Sequence, residues 1–130
     1  MRKIKFRGKR KDGGELIYGN YGEKINIITG EQDAFIMQET YTPKTNSSYF
    51  TDIQIDIKTA GQYTGLKDEN GKEIYECDIV KHGRELDYID IVEYENCCFH
   101  TSLSSDWLSD CENIEVIGNI YENQELLEDK

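Results

Sequence analysis

Ile53, Ile55 and Ile57 alternate with Asp52, Gln54, Asp56 and Lys58. A period of two puts the isoleucines on one side of an extended chain and the polar groups on the other, the pattern of a strand with one buried and one wet face. The same pattern recurs along the chain. Ile4 and Phe6 alternate with charged residues, and Leu16–Tyr21 can return beside them after the turn Lys11-Asp12-Gly13-Gly14, Asp-Gly being a hairpin signal. Lys24–Thr29, stopped at Gly30, and Ala34–Met37 are further strand candidates. Lys67–Gly71 is a turn that ends in Asn-Gly, with Ile74-Tyr75 and Ile79-Val80 continuing the strand character, and His82–Glu85 is the next expected turn. Tyr88–Tyr94 is apolar on both faces and predicts a strand covered on two sides; Phe99 belongs to the strand after it, and Ile114–Tyr121 is the last strand. Ser105–Leu108, capped by Ser105, and Glu122–Leu127 are the expected short helical turns. Nine tyrosines and abundant isoleucine favour strands over helices. The fold expected is mostly β.

Residues 41–50 hold the one proline, Pro43, in a polar cluster, which is loop chemistry. That stretch is the expected boundary between an N-terminal β-hairpin lobe, residues 1–45, and a second lobe over residues 50–122, followed by a short tail, 122–130. Both lobes would belong to a single domain of 130 residues.

Charge narrows the partners. The chain carries 26 acidic and 15 basic residues, a formal charge of −11. That argues against a general binder of nucleic acid or anionic membrane, both polyanions. Seven of the basic residues fall within residues 1–11, where there is no acid. Read functionally, Lys9, Arg10 and Lys11 are the candidate basic arm for nucleic acid. Read structurally, the segment is an edge hairpin whose charges face water or pair with carboxylates and discourage edge-to-edge association. No apolar run approaches the roughly 18 residues of a membrane span, and the polar N-terminus does not resemble a secretion signal. The expected location is therefore the cytoplasm, where Cys77, Cys97, Cys98 and Cys111 are thiols.

Motifs for chemistry are not found. Zinc needs four converging ligands, and adjacent Cys97 and Cys98 on a strand point to opposite faces; only Cys98 and His100 would share one. With Gly71 at position 6 of a calcium loop, Leu66 and Cys77 fall at the carboxylate positions 1 and 12. Neither GxxxxGK[ST] nor GxGxxG occurs, and no GxSxG marks a nucleophile. No catalytic, cofactor-binding or metal-ligating residue is nominated, and no cofactor is expected.

The stretch Gly61-Gln62-Tyr63-Thr64-Gly65-Leu66-Lys67-Asp68-Glu69-Asn70-Gly71-Lys72-Glu73-Ile74-Tyr75-Glu76-Cys77-Asp78-Ile79-Val80 resembles the signature block of the YopX family of small proteins encoded by bacteriophages and prophages. Lys5-Phe6-Arg7, Tyr18-Gly19 and the ending Glu115–Asn123 are similar too, so the resemblance spans almost the whole chain. Cys77 stands where the family has Gly, which argues against a backbone that needs positive φ there, and Gln124 stands where it has Pro. The resemblance implies a phage or prophage origin, a host-cytoplasm location and a C-terminal segment similar to an SH3-like β-barrel entered through Asp78-Ile79-Val80. It implies no activity, cofactor or catalytic set.

The leading expectation is a non-enzymatic interaction module that binds a host or phage protein, with Tyr63, Tyr75 and Trp107 as candidate contact residues. A nucleic-acid-associated protein using residues 2–11 and an enzyme using the Cys/His groups stand as alternatives. A small homo-oligomer is expected from unpaired sheet edges.

Overall fold

The computed structural model describes residues 4–83, 88–95, 98–101 and 113–128. The chain is mostly β and divides into two compact units, the first ending at Gln62 and the second starting at Tyr63.

In the first unit β1 (Phe6–Lys9), β2 (Leu16–Ile25), β3 (Gln32–Thr42) and β4 (Ser47–Ile55) form an antiparallel meander. Its registers set Tyr21 opposite Ile36, Ile36 opposite Ile53 and Ala34 opposite Ile55. One face of the sheet therefore gathers Ile17, Ala34, Ile36 and Ile55 into a buried cluster, with Phe6, Tyr21, Ile53 and Ala60 packed against it. A Cβ at Gly8 would collide with the Ile55 side chain, so a bare backbone at that position is what lets β1 lie close to the core.

Four local expectations are corrected. The strand expected over Lys24–Thr29 ends at Ile25, because the Asn26 side chain accepts hydrogen bonds from the Ile28 and Thr29 N–H groups at 2.9 and 3.2 Å; an Asx turn of this kind competes with extension. The loop expected over residues 41–50 shrinks to a tight turn. β3 and β4 run up to Thr42 and away from Ser47, and Asn46 takes φ +51 to close the reversal. Ile57 does not extend the alternating strand: Asp56 caps a 3-10 turn, Ile57–Thr59, that turns Ile57 outward. Finally, β1 is not an edge. The sheet order is β4-β3-β2-β1-β5-β6, where β5 is Gly61–Lys67 and β6 is Glu73–Tyr75. Phe6 pairs with Gln62 and Arg7 with Gly61, and Arg7 is buried.

The second unit takes β5 from Tyr63 on, then β6, β7 (Asp78–His82), β8 (Tyr88–Glu95), β9 (Cys98–Thr101), β10 (Glu115–Asn119) and the short helix α1 (Glu125–Glu128). Strands β10-β7-β8-β9 make an antiparallel sheet, with an irregularity in β10 between Val116 and Gly118. Ile74, Val80, Val92 and Ile114 form its core, flanked by Phe99 and Val116. Among the described residues no sheet closes into a barrel. His82, expected in a turn, is the last residue of β7; one face of β8 buries Asp90 and Val92 and exposes Tyr88 and Tyr94 at its ends, while Ile89, Ile91 and Glu93 on the other face are half-buried. Ser105–Leu108, including Trp107, lie outside the described residues, as do Cys97 and Cys111.

Cys77 also departs from expectation: its φ is +68. Its N–H donates to Val92 O at 2.8 Å and its carbonyl accepts from Ile120 N at 3.0 Å, so the neighbours on both sides hold it in the left-handed region. An L side chain there costs roughly 1–2 kcal/mol, part of which glycine returns as chain entropy on unfolding. Cys77→Gly is therefore expected to stabilise the fold by about 1 kcal/mol, read as a higher urea midpoint, while Cys77→Ala stays near the parent. Equal midpoints for the Gly and Ala variants would contradict this.

Candidate interaction surface

Two of the three aromatic contacts named from sequence are buried. Tyr63 and Tyr75 are 5% and 2% exposed, with ring centroids 5.4 Å apart, and the Tyr75 hydroxyl donates to Glu73 Oε1 at 3.0 Å. They are opposite each other in the β5–β6 register and pack the inside of the second unit. Trp107 is not among the described residues.

Lys9, Arg10 and Lys11 do not form a free arm. Lys9 N donates to Thr59 Oγ1 at 2.8 Å, Lys9 O accepts from Asp56 N at 2.9 Å, and Lys11 N donates to Gln54 O at 3.0 Å. The Arg10 guanidinium reaches Asp12 at 2.7 Å and Glu15 at 3.2 Å; the Asp12 hydrogen bond and charge raise its pKa further. The backbone is thus fastened along β4 and the 3-10 turn, and one of the three cations is held by local carboxylates.

Of the groups weighed for metal or nucleophilic chemistry, Cys98 and His100 stand two apart on β9, and His100 Nδ1 lies 3.2 Å from Thr101 O. His82 Nε2 lies 3.4 Å from Asp90 Oδ2, but both side chains are buried. Among the described residues no three His, Cys, Asp or Glu side chains converge on one point.

What the structure does present is apolar surface on the first unit, at a place expected from sequence to be strand. At the β2–β3 tip Ile25, Ile27 and Ile28 are 69%, 95% and 91% exposed. The Asx turn at Asn26 holds Ile27 and Ile28 outward, and Gly30, at φ +75, closes the reversal through its N–H to Asn26 O at 2.7 Å. The signal that sequence reading missed was Asn26, whose side chain breaks an otherwise apolar run.

Carboxylates surround this knob. Glu23, Glu31 and Asp33 lie on the strands and turn next to it, and Glu23 is positioned by the Tyr21 hydroxyl at 2.6 Å and by Gln32 Nε2. Burial of Tyr21, together with its bond to Glu23, pushes the phenol up to about 12, so it remains a donor across the physiological range. Lys24 is drawn aside to Asp52 at 3.1 Å and over the Phe35 ring at 4.8 Å. The knob is thus apolar at its tip and acidic around its base. Enclosing an isoleucine in a partner gains about 1.5–3 kcal/mol, so two or three such side chains suffice to anchor a complex once the ordering costs are met.

The far end of the β3–β4 hairpin is also exposed on both faces and carries Tyr41, Tyr49 and Phe50.

The chain matches the family described as YopX protein over residues 5–128. Among solved structures it is similar to protein EF1440 from Enterococcus faecalis, with a TM-score of 0.63 and 24% sequence identity over 98% of this chain and 99% of that one. The likeness to that protein is one of fold. No curated protein matches the chain.

Proposed function

The chain belongs to the YopX family, and on that premise we propose that it is a non-enzymatic interaction module: a phage- or prophage-encoded accessory protein that works in the bacterial cytoplasm by binding a host or phage protein. The observation that carries this reading is the β2–β3 knob, with Ile27 and Ile28 almost fully exposed and carboxylates around its base. A complementary partner offers an apolar pocket with a basic rim. Such a rim suits the net charge of −11, which also speeds encounter with a basic surface.

The second unit we read as a variant of the SH3-like architecture. Its support is a set of short antiparallel strands around Ile74, Val80, Val92 and Ile114, entered from the β5–β6 hairpin through Asp78-Ile79-Val80.

Affinity capture from extracts of infected host cells tests the function. The parent chain is expected to retain one stoichiometric protein, and the Ile27→Asp, Ile28→Asp double variant to lose it at least a hundredfold while its circular dichroism stays that of the parent. Retention of the same partner by the double variant would remove the knob from the account, and recovery of nucleic acid in place of protein would favour the basic segment.

A further inference from the structure

We propose that two copies of this chain pair through the outer edge of β4, in antiparallel register about a two-fold axis at Tyr49. The knob and this edge lie at different places in the first unit, so the inference stands independently of the proposed function.

β4 is the outermost strand of its sheet. Lys11 N donates to Gln54 O and Asp56 N to Lys9 O, so even-numbered residues point their backbone groups away from β3. The β3–β4 register runs without a shift from Ile55 to Ser47, which carries that parity to Ser48, Phe50 and Asp52. Their N–H and C=O groups face outward, and no described strand pairs with them. Residues 47–52 are all exposed, on both faces of the hairpin. A two-stranded ribbon exposed on both sides is marginal in water, and this edge has none of the usual protections: no proline, no bulge and no lysine between Ser47 and Thr51.

Charge selects a second copy as the occupant. A chain of net charge −11 repels its own copies across most of its surface. Residues 40–51 hold no acid and one cation, Lys44, so this is where identical chains meet without opposing carboxylates. Centring the axis on Tyr49 sets Ser47 opposite the partner copy's Thr51 and Ser48 opposite its Phe50, using the acid-free strand against itself. The outward N–H and C=O groups of Ser48 and Phe50 then bond reciprocally, as in an antiparallel ladder. The two Tyr49 rings face each other across the axis on one face of the extended sheet.

Geometry limits the register as well. Residues 9–11 already occupy the outer side of β4 at Gln54–Asp56. The hollow of about 440 Å³ bordered by Arg10, Lys11, Asp12 and Thr51–Gln54 lies where that segment turns away. In the Tyr49-centred register the second copy's strand ends before reaching this segment, and its Lys44 turn enters the hollow, whose wall carries Asp12 and Asp52 as well as the two cations.

Sedimentation equilibrium tests the pairing. The parent chain is expected at twice its 15.1 kDa mass. Tyr49→Lys and Tyr49→Glu each place like charges across the axis at an exposed position, so both variants fold and each alone sediments as a monomer. Mixed in equal amounts they recombine into a heterodimer, since the axis now joins an ammonium to a carboxylate. A monomeric parent at all concentrations, single variants that keep the parent's mass, or a mixture that stays monomeric would each overturn the proposal.

Discussion

Ile55→Asp is expected to abolish folding, while Gln54→Asp one residue away is expected to leave it intact. Ile55 is 2% exposed at the centre of the first core, opposite Ala34 and against Ile17 and Ile36. The substitution removes about 1.5–3 kcal/mol of burial and leaves a carboxylate whose desolvation costs several more. Together these reach the lower end of the roughly 5–15 kcal/mol that holds a domain of this size together. Gln54 projects from the opposite face, and the bond it makes to Lys11 N uses its backbone carbonyl, which aspartate retains. Thermal melts followed by circular dichroism check the pair. Both variants unfolding cooperatively at the parent temperature would show that the register of β4 is wrong.

Asp68 is the second position where a large loss is expected, this time in the second unit. Its Oδ1 accepts from Asn70 N at 2.9 Å and Lys72 N at 2.8 Å, and its Oδ2 accepts from Val116 N at 2.9 Å. One buried carboxylate therefore closes the β5–β6 turn and ties it to β10, which explains why an aspartate precedes the Asn70-Gly71 reversal. Asp68→Ala leaves three backbone donors without this acceptor and is expected to cost about 3 kcal/mol. Asp68→Asn keeps the two bonds to the turn but turns an amide N–H toward Val116 N–H, at roughly half that cost.

Burial alone would raise the Asp68 pKa, but the N–H groups of Val116, Lys72 and Asn70, with the Lys72 charge, outweigh it and hold the carboxyl below its ordinary 3.8. The folded pKa is lower than the unfolded one, so this stabilisation is complete above the unfolded value and is lost as pH falls through the folded value. Urea midpoints of the parent should drop below about pH 4, and the drop should be shallower in Asp68→Asn. Parallel pH profiles would contradict the role assigned to this carboxylate.

The parts of the fold that were legible in the sequence are the local ones. Asp12-Gly13 and Asn70-Gly71 announced their turns, and the alternation of Ile53 and Ile55 announced a half-buried strand. Pattern failed where a side chain intervened: Asn26 turned Ile27 and Ile28 out of a strand, and Asp56 ended β4 one isoleucine before the alternation stopped. It failed again where neighbours come from far along the chain. Nothing near Phe6 says that β5 will flank β1, and a tyrosine in a strand looks the same whether it faces solvent, like Tyr49, or another ring, like Tyr63. Cys77 shows the reverse case, since its hydrogen-bonded neighbours impose a positive φ that its own side chain disfavours. The knob escaped notice for the same reason as the turn beneath it: two adjacent isoleucines continue a strand pattern until Asn26 is given its hydrogen bonds.

Site-specific photo-crosslinking in infected cells tests the binding account most directly. A photoreactive side chain in place of Ile28 should give one discrete adduct with a host or phage protein, and the same group at exposed Glu122, in the other unit, should not. No adduct at position 28, or the same adducts from both positions, would contradict the claim that this chain works by docking the β2–β3 knob into a protein partner.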